Sequence, residues 1–207
     1  GYAELLSSGM LQKPEDATEF GRKILAESRR LLTLIEDIIR LSRLDEGVRG
    51  EVTPVDLTAL IQHCVQKLTP AAQNAQVSIS ASGNDPVLIS GDHALLEEML
   101  TNLLENGIKY NHAGGYVRAR AEMADGRAVV TVADNGVGIA PEDQQRVFER
   151  FYRVDKSRSK QTGGTGLGLS IVKHGAQVHH AQIAMQSALG EGTTITLTFP
   201  AQSSGKK

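Results

Sequence analysis

Apolar residues recur near the start of the chain with a spacing of seven positions. The series is Ile24, Leu31 and Ile38, flanked by Leu34, Ile35 and Leu41. This heptad pattern is typical of a helix in a coiled coil or a four-helix bundle, although a single amphipathic surface helix shows a similar stripe. Pro14 and the two acids after it predict the start of this helix, which we expect to end near Asp45. A shorter helix over residues 1–8 precedes it. Because two helices cannot bury the stripe alone, we expect a homodimer through this helical hairpin.

Beyond residue 47 the pattern changes to a mixture of helices and strands. We predict helices from Asp56 to about Gln73, from Gly91-Asp92 to Tyr110, and from Gly166 to His180. Short β-rich runs predict strands over 77–81, 87–89, 116–123, 127–134, 181–187 and 193–199. The dipeptide Asp125-Gly126 joins two of these runs and predicts a tight hairpin, because its residues accept positive φ angles. The elements do not alternate as regular βα units, so we expect an α+β sandwich rather than a doubly wound sheet.

The composition narrows the class of protein. Hydrophobic residues make up 40% of the 207 residues, which supports a packed core, but aromatic residues make up only 4%, so that core must be mostly aliphatic. The net charge of −2 gives no reason to expect a nucleic acid as partner. The single cysteine, Cys64, excludes an intrachain disulfide, and no apolar run approaches the length of a membrane span. The chain opens without a Met inside a helical pattern, so we expect it to be a piece of a longer protein.

Three polar residues share one face of the helix that ends at Tyr110. Asn102, Asn106 and Lys109 are spaced i, i+4 and i+7, whereas the apolar residues between them fall on other faces. Amide oxygens are hard, neutral ligands that suit a Mg²⁺ ion bound together with substrate phosphates, and a nearby lysine can meet phosphate charge. The alternative is an ordinary helix with a solvated polar stripe.

A second motif, Asp134-Asn135-Gly136-Val137-Gly138, lies at the end of a predicted strand. A carboxylate accepts a hydrogen bond from the exocyclic amine of adenine, whereas guanine offers an acceptor there, so a buried Asp134 can select ATP over GTP. Gly136 and Gly138 let the backbone approach a flat base. An acidic turn without a ligand is the alternative interpretation.

A third motif opens the last predicted helix and is rich in glycine, Gly163-Gly164-Thr165-Gly166-Leu167-Gly168-Leu169-Ser170. Free N–H groups at the start of a helix bind phosphate. The motif is not a Walker A loop, since no Lys-Ser/Thr pair follows, and it is not a dinucleotide fingerprint, since no βαβ unit surrounds it. A flexible hinge is the alternative. Residues 152–164 are polar and Gly-rich, which predicts a mobile loop.

In this order the three motifs resemble the N, G1 and G2 boxes of bacterial sensor histidine kinases, which belong to the GHKL group of ATP-binding proteins. Gly190-Glu191-Gly192-Thr193 resembles the G3 box, and Phe148-Glu149-Arg150-Phe151-Tyr152-Arg153 resembles the F box between G1 and G2. The resemblance covers about residues 1–200. It implies a Bergerat-type two-layer α/β sandwich, with a mixed five-stranded sheet and three helices, preceded by the remnant of a helical hairpin for dimerisation and phosphotransfer.

The resemblance also implies domain limits and site roles. The implied domains are the hairpin, a linker, the catalytic ATP-binding domain and a disordered tail, over residues 1–46, 47–56, 57–200 and 201–207 respectively. Asp134 is expected to hold the adenine amino group. Asn106 is expected to coordinate Mg²⁺, with Asn102 supporting it, and Lys109 to contact phosphate. Arg153 is expected to stabilise charge on the transferring γ-phosphoryl group.

The remaining nucleotide-binding residues that the resemblance implies are Tyr110, Gly136, Gly138, Phe151, Gly164, Thr165, Gly166, Leu167 and Gly168. Residues 152–164 resemble an ATP lid, with Phe148 and Phe151 as its apolar latch.

Asn102 discriminates among the GHKL proteins. Gyrase-type ATPases carry at this position a glutamate that activates water, and an asparagine cannot accept a proton at neutral pH, so hydrolysis is expected to be poor. This favours a kinase over a GHKL-type ATPase. The full set of motifs disfavours an ATP-binding scaffold without turnover, and the helical hairpin disfavours a Ser/Thr kinase of the anti-sigma group.

The resemblance implies that ATP gives its γ-phosphoryl group to a histidine and thence to an aspartate of a response regulator, leaving ADP. Residues 1–6 are similar to the segment just past that histidine, so the acceptor is expected before Gly1 and this piece is expected to bind ATP without it. None of the six histidines has the Ser-His-Glu-Leu-Arg context of the family. Relatives usually carry membrane spans upstream, so we expect this piece in the cytoplasm and the full-length protein at the bacterial inner membrane.

Overall fold

The computed structural model describes residues 2–7, 14–45, 50–154 and 165–201. The chain opens with α1 (Tyr2–Ser7) and α2 (Pro14–Asp45), and α2 has the limits that the heptad pattern predicts. Residue 8, where the first helix was expected to end, lies outside the described residues. Several large apolar side chains of α2 are about half exposed, namely Leu25, Leu31, Leu32, Ile35 and Ile39. None of the described helices combines the length and hydropathy of a membrane span.

A five-stranded sheet and a two-stranded ribbon follow. The elements in chain order are β1 (Val52–Asp56), α3 (Leu57–Asn74), β2 (Ser78–Ser82), β3 (Leu88–Asp92), α4 (His93–Lys109), β4 (Tyr116–Ala124), β5 (Arg127–Asp134), a 3-10 turn (Arg146–Phe148), α5 (Gly168–Val178), β6 (Gln182–Ala188) and β7 (Gly192–Thr198). The sheet order is β2-β4-β5-β7-β6, with β2 and β4 parallel and the other pairs antiparallel. The mixed five-stranded sheet and the three helices α3, α4 and α5 confirm the predicted α+β sandwich.

The three helices cover one face of the sheet. Alternate residues of the central strands point into this layer, and the buried set is dominated by Leu, Ile, Val and Ala; Phe199 is the one fully buried aromatic side chain of the described residues. The predicted hairpin is also confirmed, because Asp125 and Gly126 both have positive φ angles, 49° and 74°, between β4 and β5. A mirror-image turn of this kind matches the twist of the two strands it joins.

The strand β1 was not predicted from the sequence, which was interpreted as linker over residues 47–56. In the structure β1 pairs antiparallel with β3, and Val55 and Ile89 face inward at 3% and 4% exposure. Pro54 weakened the strand signal, since proline is rare in strands except at edges. The ribbon has only two strands, so each has an open edge where proline is tolerated.

Asp56 joins the ribbon to the helical layer. Its Oδ1 accepts hydrogen bonds from the backbone N–H of Thr58 (2.9 Å), Ala59 (3.4 Å) and Val87 (3.2 Å). The first two cap α3, as the sequence predicted, and the third ties the cap to the residue before β3. One carboxylate oxygen therefore satisfies three backbone donors.

Buried side chains also help to link the helices to their neighbours. Cys64 on α3 is fully buried, and its Sγ accepts a long hydrogen bond from the Thr101 hydroxyl on α4 (3.8 Å). Burial raises the pKa of the Cys64 thiol. His179, after α5, accepts through Nε2 from the Asp92 N–H (3.0 Å), and its Nδ1 lies 2.7 Å from the Gly175 carbonyl. These contacts require the neutral ring with its proton on Nδ1, which is a packing role rather than a metal-binding one.

We expect Asp56→Ala to destabilise the chain by about 1–3 kcal/mol, because it removes a helix cap and leaves the Val87 N–H without its acceptor. Urea unfolding followed by circular dichroism measures this loss. Asp85→Ala is the matched control, since the Asp85 side chain is exposed in the same region and caps no helix. Equal losses in the two variants would contradict the role given to Asp56.

Candidate functional site

The carboxylate of Asp134 ends β5 at the edge of the helical layer and is half-buried. Its Oδ1 accepts from the backbone N–H of Gly136 (2.8 Å) and of Thr193 (3.2 Å). Burial raises the pKa of Asp134, and these two hydrogen bonds oppose that effect by stabilising the charged form. Within the described chain no donor reaches Oδ2. One oxygen is therefore fixed by the protein and the other can accept a hydrogen bond from a ligand.

The loop after Asp134 lies against two other backbone segments. The Val137 N–H donates to the Tyr110 carbonyl (3.0 Å), and a Cβ on Gly136 would come within 2.4 Å of that carbonyl oxygen. Gly138 has a φ of +68°, and a Cβ there would lie 1.9 Å from the Ala188 carbonyl oxygen. Both glycines are thus required by close backbone approach, whether or not a base is bound.

The polar face of α4 begins beside Asp134. A Cβ on Gly107 would meet the Val117 side chain at 3.0 Å and the Asp134 Cβ at 3.5 Å, so this glycine brings α4 against the sheet at that point. Asn102 is half-buried, and its Nδ2 donates to the Glu98 carbonyl (2.9 Å). Asn106 is half-buried too, and its amide has no side-chain hydrogen bond to the described residues. Its oxygen can therefore serve as a ligand.

Lys109 lies one helical turn beyond Asn106 and is affected by the charge of Arg153. Burial lowers the pKa of Lys109, the positive charge of Arg153 lowers it further, and Glu105 opposes both. The Lys109 Nζ lies 5.2 Å from the centre of the Tyr110 ring, which is 43% exposed. A partly desolvated lysine that also experiences a second positive charge favours the binding of an anion, because an anion relieves the repulsion.

The start of α5 closes the other side of the site. A Cβ on Gly168 would come within 2.6 Å of the Asn102 Oδ1, so the first turn of α5 lies against the polar face of α4. Leu167 is fully buried, and its N–H lies 3.4 Å from the Thr165 hydroxyl. The first N–H groups of a helix lack partners within the helix, which makes this turn suited to an anion.

Phe151 and Gly166 join the two chain segments that flank residues 155–164. The Phe151 N–H donates to the Gly166 carbonyl (2.9 Å), and both residues have positive φ angles, 63° and 77°. Phe151 is 56% exposed, whereas Phe148 lines a groove with Lys173, Ile183 and Met185. Their shared role as a lid latch stays a prediction. Gly164 and residues 155–163 of the expected lid lie outside the described residues.

The structure thus brings together most of the residues that the motifs singled out. Asp134, Gly136 and Tyr110 meet at one end, where Gly138 follows on the same loop, and Asn102 meets Gly168 at the other. The face of α4 that carries Asn106 and Lys109 runs between them.

Several residues that stabilise the geometry of the site were not predicted from the sequence to have this role. The Asn111 Nδ2 donates to the carbonyls of Gly107 and Tyr116 (both 3.0 Å), and the Asn135 Oδ1 accepts from the Tyr116 N–H (2.6 Å). Ser187 lies on the inward face of β6, where alternation calls for an apolar side chain. A hydroxyl at such a position is the one sequence signal that could have marked it.

Comparison with known proteins gives two family matches. Residues 91–203 match the family described as histidine kinase-, DNA gyrase B- and HSP90-like ATPase, and residues 1–47 match the His kinase A (phospho-acceptor) domain.

Individual relatives agree with these matches. The sensor-like histidine kinase SenX3 of Mycolicibacterium smegmatis is 42% identical over 204 residues, which cover 97% of this chain and 53% of that protein. The chain therefore spans about half the length of this relative. The solved structure of full-length ShkA in complex with AMPPNP superposes with a TM-score of 0.75 at 29% identity, covering 91% of this chain and 39% of that one. The Acinetobacter baumannii histidine kinase AdeS shares the fold, with a TM-score of 0.77 at 22% identity over 98% of this chain and 93% of that one.

We expect Gly138→Ala to destabilise the domain by about 3 kcal/mol or more, because the new Cβ would clash with the Ala188 carbonyl in addition to the strain of a positive φ. Gly126→Ala is the matched control, since Gly126 has a similar φ of +74° but open space around it. That variant is expected to lose only about 1–2 kcal/mol. Urea unfolding compares the two, and similar losses would show that close approach at Gly138 contributes nothing.

Proposed function

This chain belongs to the bacterial sensor histidine kinases, within the histidine kinase-, DNA gyrase B- and HSP90-like ATPase family, and we propose that residues 57–200 are their catalytic ATP-binding domain. In this proposal residues 1–46 form the dimerisation and phosphotransfer hairpin, joined by a linker over 47–56, and 201–207 are a tail. The half-exposed apolar side chains of α2 support a homodimer through the hairpin. The whole protein is proposed to lie at the bacterial inner membrane.

The proposal rests on the Asp134 carboxylate, whose two oxygens have different surroundings. Two backbone N–H groups hold Oδ1, and Oδ2 is left to accept from the exocyclic amine of adenine. Guanine carries an oxygen at the corresponding position, which would face a negative charge in a half-buried site. The same pocket therefore binds ATP and ADP and rejects GTP. ShkA, whose full-length structure was solved in complex with AMPPNP, provides a structural precedent for an adenine nucleotide on this fold.

The phosphates are assigned to the polar face of α4 and the start of α5. The residues present fit a Mg²⁺ ion bound together with phosphates, because the Asn106 amide oxygen has no hydrogen-bond partner among the described residues. The positive charges of Lys109 and Arg153 favour the phosphate oxygens that would complete the ligands of the ion. Among the residues with described positions, no three His, Cys, Asp or Glu side chains gather to hold a metal alone. The remaining ligands would thus be phosphate oxygens and water. When bound, the ion neutralises charge on the phosphates.

The proposed reaction is transfer of the γ-phosphoryl group to a histidine. The histidine nitrogen forms a bond to the γ-phosphorus while the bond to the β,γ-bridging oxygen breaks, which releases ADP. Arg153 and Lys109 stabilise the charge that develops. The phosphoryl group then passes to an aspartate of a response regulator. The family match over residues 1–47 supports this assignment over a GHKL-type ATPase or a scaffold without turnover. Asn102 offers no base to activate water, so hydrolysis is slow.

We expect Asp134→Asn to weaken Mg²⁺-ATP binding by about tenfold to a hundredfold, because the amide would place N–H donors against the adenine amine. Isothermal titration calorimetry with ATP, ADP and GTP measures this. The unaltered chain should bind ATP and ADP but not GTP. Absence of any ATP binding by the unaltered chain at millimolar concentration would overturn the proposed function.

The same variant has a second expected outcome without nucleotide. Burial raises the pKa of Asp134, so at neutral pH the folded state carries a carboxylate that it disfavours relative to the unfolded state. Asparagine keeps an oxygen for the Gly136 and Thr193 N–H groups and removes that charge. The thermal midpoint of the nucleotide-free domain should therefore stay the same or rise. A large fall would show that lost ATP binding came from damage to the fold.

We expect Lys109→Gln to weaken ATP binding by about tenfold and to leave adenosine binding unchanged, because it removes charge from the phosphate end alone. Calorimetry with ATP and adenosine separates the two ends of the pocket. Lys67→Gln is the matched control, since Lys67 is an exposed lysine on α3 that pairs with Glu97 at 2.9 Å. A similar loss of affinity for adenosine and for ATP would show that Lys109 does not act on the phosphates.

A further inference from the structure

The hydroxyl of Ser187 makes three contacts that converge from two sides of the site. Its Oγ accepts from the Ile139 N–H (2.8 Å), donates to the Gly192 carbonyl (2.9 Å) and lies 2.8 Å from the Thr193 hydroxyl. Ile139 follows the loop after Asp134, whereas Gly192 and Thr193 begin β7. Ser187 itself is half-buried on β6. One side chain therefore joins the loop, the turn between β6 and β7, and the strand that carries Thr193.

A count of protons settles the direction of these bonds. A serine hydroxyl has one proton and two lone pairs. The Ile139 N–H uses one lone pair, and the Gly192 carbonyl can only accept, so it takes the serine proton. The remaining lone pair accepts from Thr193, whose hydroxyl proton is thereby committed to Ser187. All three contacts are satisfied in this one arrangement, with no capacity left over.

The arrangement bears directly on the Asp134 carboxylate. Thr193 donates its backbone N–H to the Asp134 Oδ1 (3.2 Å), and Gly138, next to Ile139, lies against the Ala188 carbonyl. The Gln144 Nε2 adds a second tie between these segments, since it donates to the carbonyls of both Ser187 (2.8 Å) and Ile139 (3.1 Å). Movement of the loop or the turn would therefore alter the position of Oδ1.

We propose that Ser187 is a positioning residue for nucleotide binding, whose hydroxyl locks the loop after Asp134 to the start of β7 and so keeps the carboxylate aimed at the base. This proposal rests on the proposed function, because it takes the ligand of Asp134 to be adenine. Ser187 acts through Asp134 and Thr193 and need not touch the nucleotide. Removal of the hydroxyl is expected to weaken recognition of the base and to leave the contacts with the phosphates unchanged.

Removal of the hydroxyl also has a consequence for pH dependence. The Thr193 N–H is one of two hydrogen bonds that lower the pKa of Asp134 against the effect of burial. If that bond is weakened, the pKa rises further, and ATP binding, which needs the ionised carboxylate, is lost at a higher pH as the solution is acidified. The titratable groups nearby include His112, with its Nε2 3.1 Å from the Asn135 carbonyl, and Glu191 in the turn before β7. Both are the same in every variant compared, so a difference between variants reports on Asp134.

The test compares Ser187→Ala, Ser187→Thr and Ser187→Val with the unaltered chain. Thr and Val have nearly the same shape, so they differ at this position in the hydroxyl alone. We expect Ser187→Ala and Ser187→Val to bind Mg²⁺-ATP about tenfold more weakly and to prefer ATP over GTP by a smaller factor. In both variants, the loss of ATP binding on acidification should begin at a higher pH. Ser187→Thr should restore all three properties. Ser80→Ala is the control, since Ser80 is an exposed serine on β2 of the same sheet.

A readout without nucleotide separates this proposal from the proposed function. The Ile139 amide should exchange with solvent faster in the Ala and Val variants than in the Ser and Thr forms, whether or not ATP binds. If the unaltered chain binds no ATP, the proposed function fails on that measurement alone. If it binds ATP and the Val and Thr variants behave alike, the positioning role of Ser187 is wrong. Loss of folding in both Ala and Val variants would also overturn it, since the hydroxyl would then serve the fold and not the site.

Discussion

A half-buried carboxylate has to remain charged at the edge of this fold, and much of the surrounding backbone is arranged to meet that requirement. Burial alone would protonate Asp134 more readily, and a protonated carboxyl would offer a donor where the base needs an acceptor. Two backbone N–H groups, from Gly136 and Thr193, counter this effect at a single oxygen. They come from segments that are distant in sequence, so the charge state of one side chain depends on the correct assembly of β5, β7 and the loop between β5 and the 3-10 turn.

That assembly depends on how closely backbones approach one another. A side chain on Gly136 would strike the Tyr110 carbonyl, one on Gly138 would strike Ala188, and one on Gly168 would strike Asn102. Tyr110 and Asn102 belong to the same site, and Ala188 ends the strand that carries Ser187. The glycines of the motifs are therefore explained first by contacts within the protein, and a ligand is accommodated in the space that these contacts leave. This is why the pocket can be shaped before a nucleotide arrives.

The sequence was sufficient for the features that depend on local pattern or on motif order. Heptad spacing located α2, and Asp-Gly located the hairpin at residues 125–126. The box order singled out Asp134 and the polar face of α4, whose roles in nucleotide binding stay predictions. It failed where the structure depends on pairing between distant segments. The strand β1 exists because β3 lies beside it, and no local signal in a Pro-containing run predicts that. Ser187 escaped for the same reason, since its three partners lie in two other segments of the chain.

The buried position of Cys64 makes its thiol a probe of how often helices α3 and α4 separate. The thiol is completely enclosed between α3 and α4, and its raised pKa keeps it in the unreactive protonated form. A thiol reagent can reach it only when the two helices separate, so the rate of its modification counts opening events of the layer that carries Asn102 and Asn106. Any small molecule that binds the closed form slows the modification of Cys64 in proportion to its occupancy. Compounds can therefore be ranked by mass spectrometry of the modified chain, without a label and without knowledge of the phosphate acceptor.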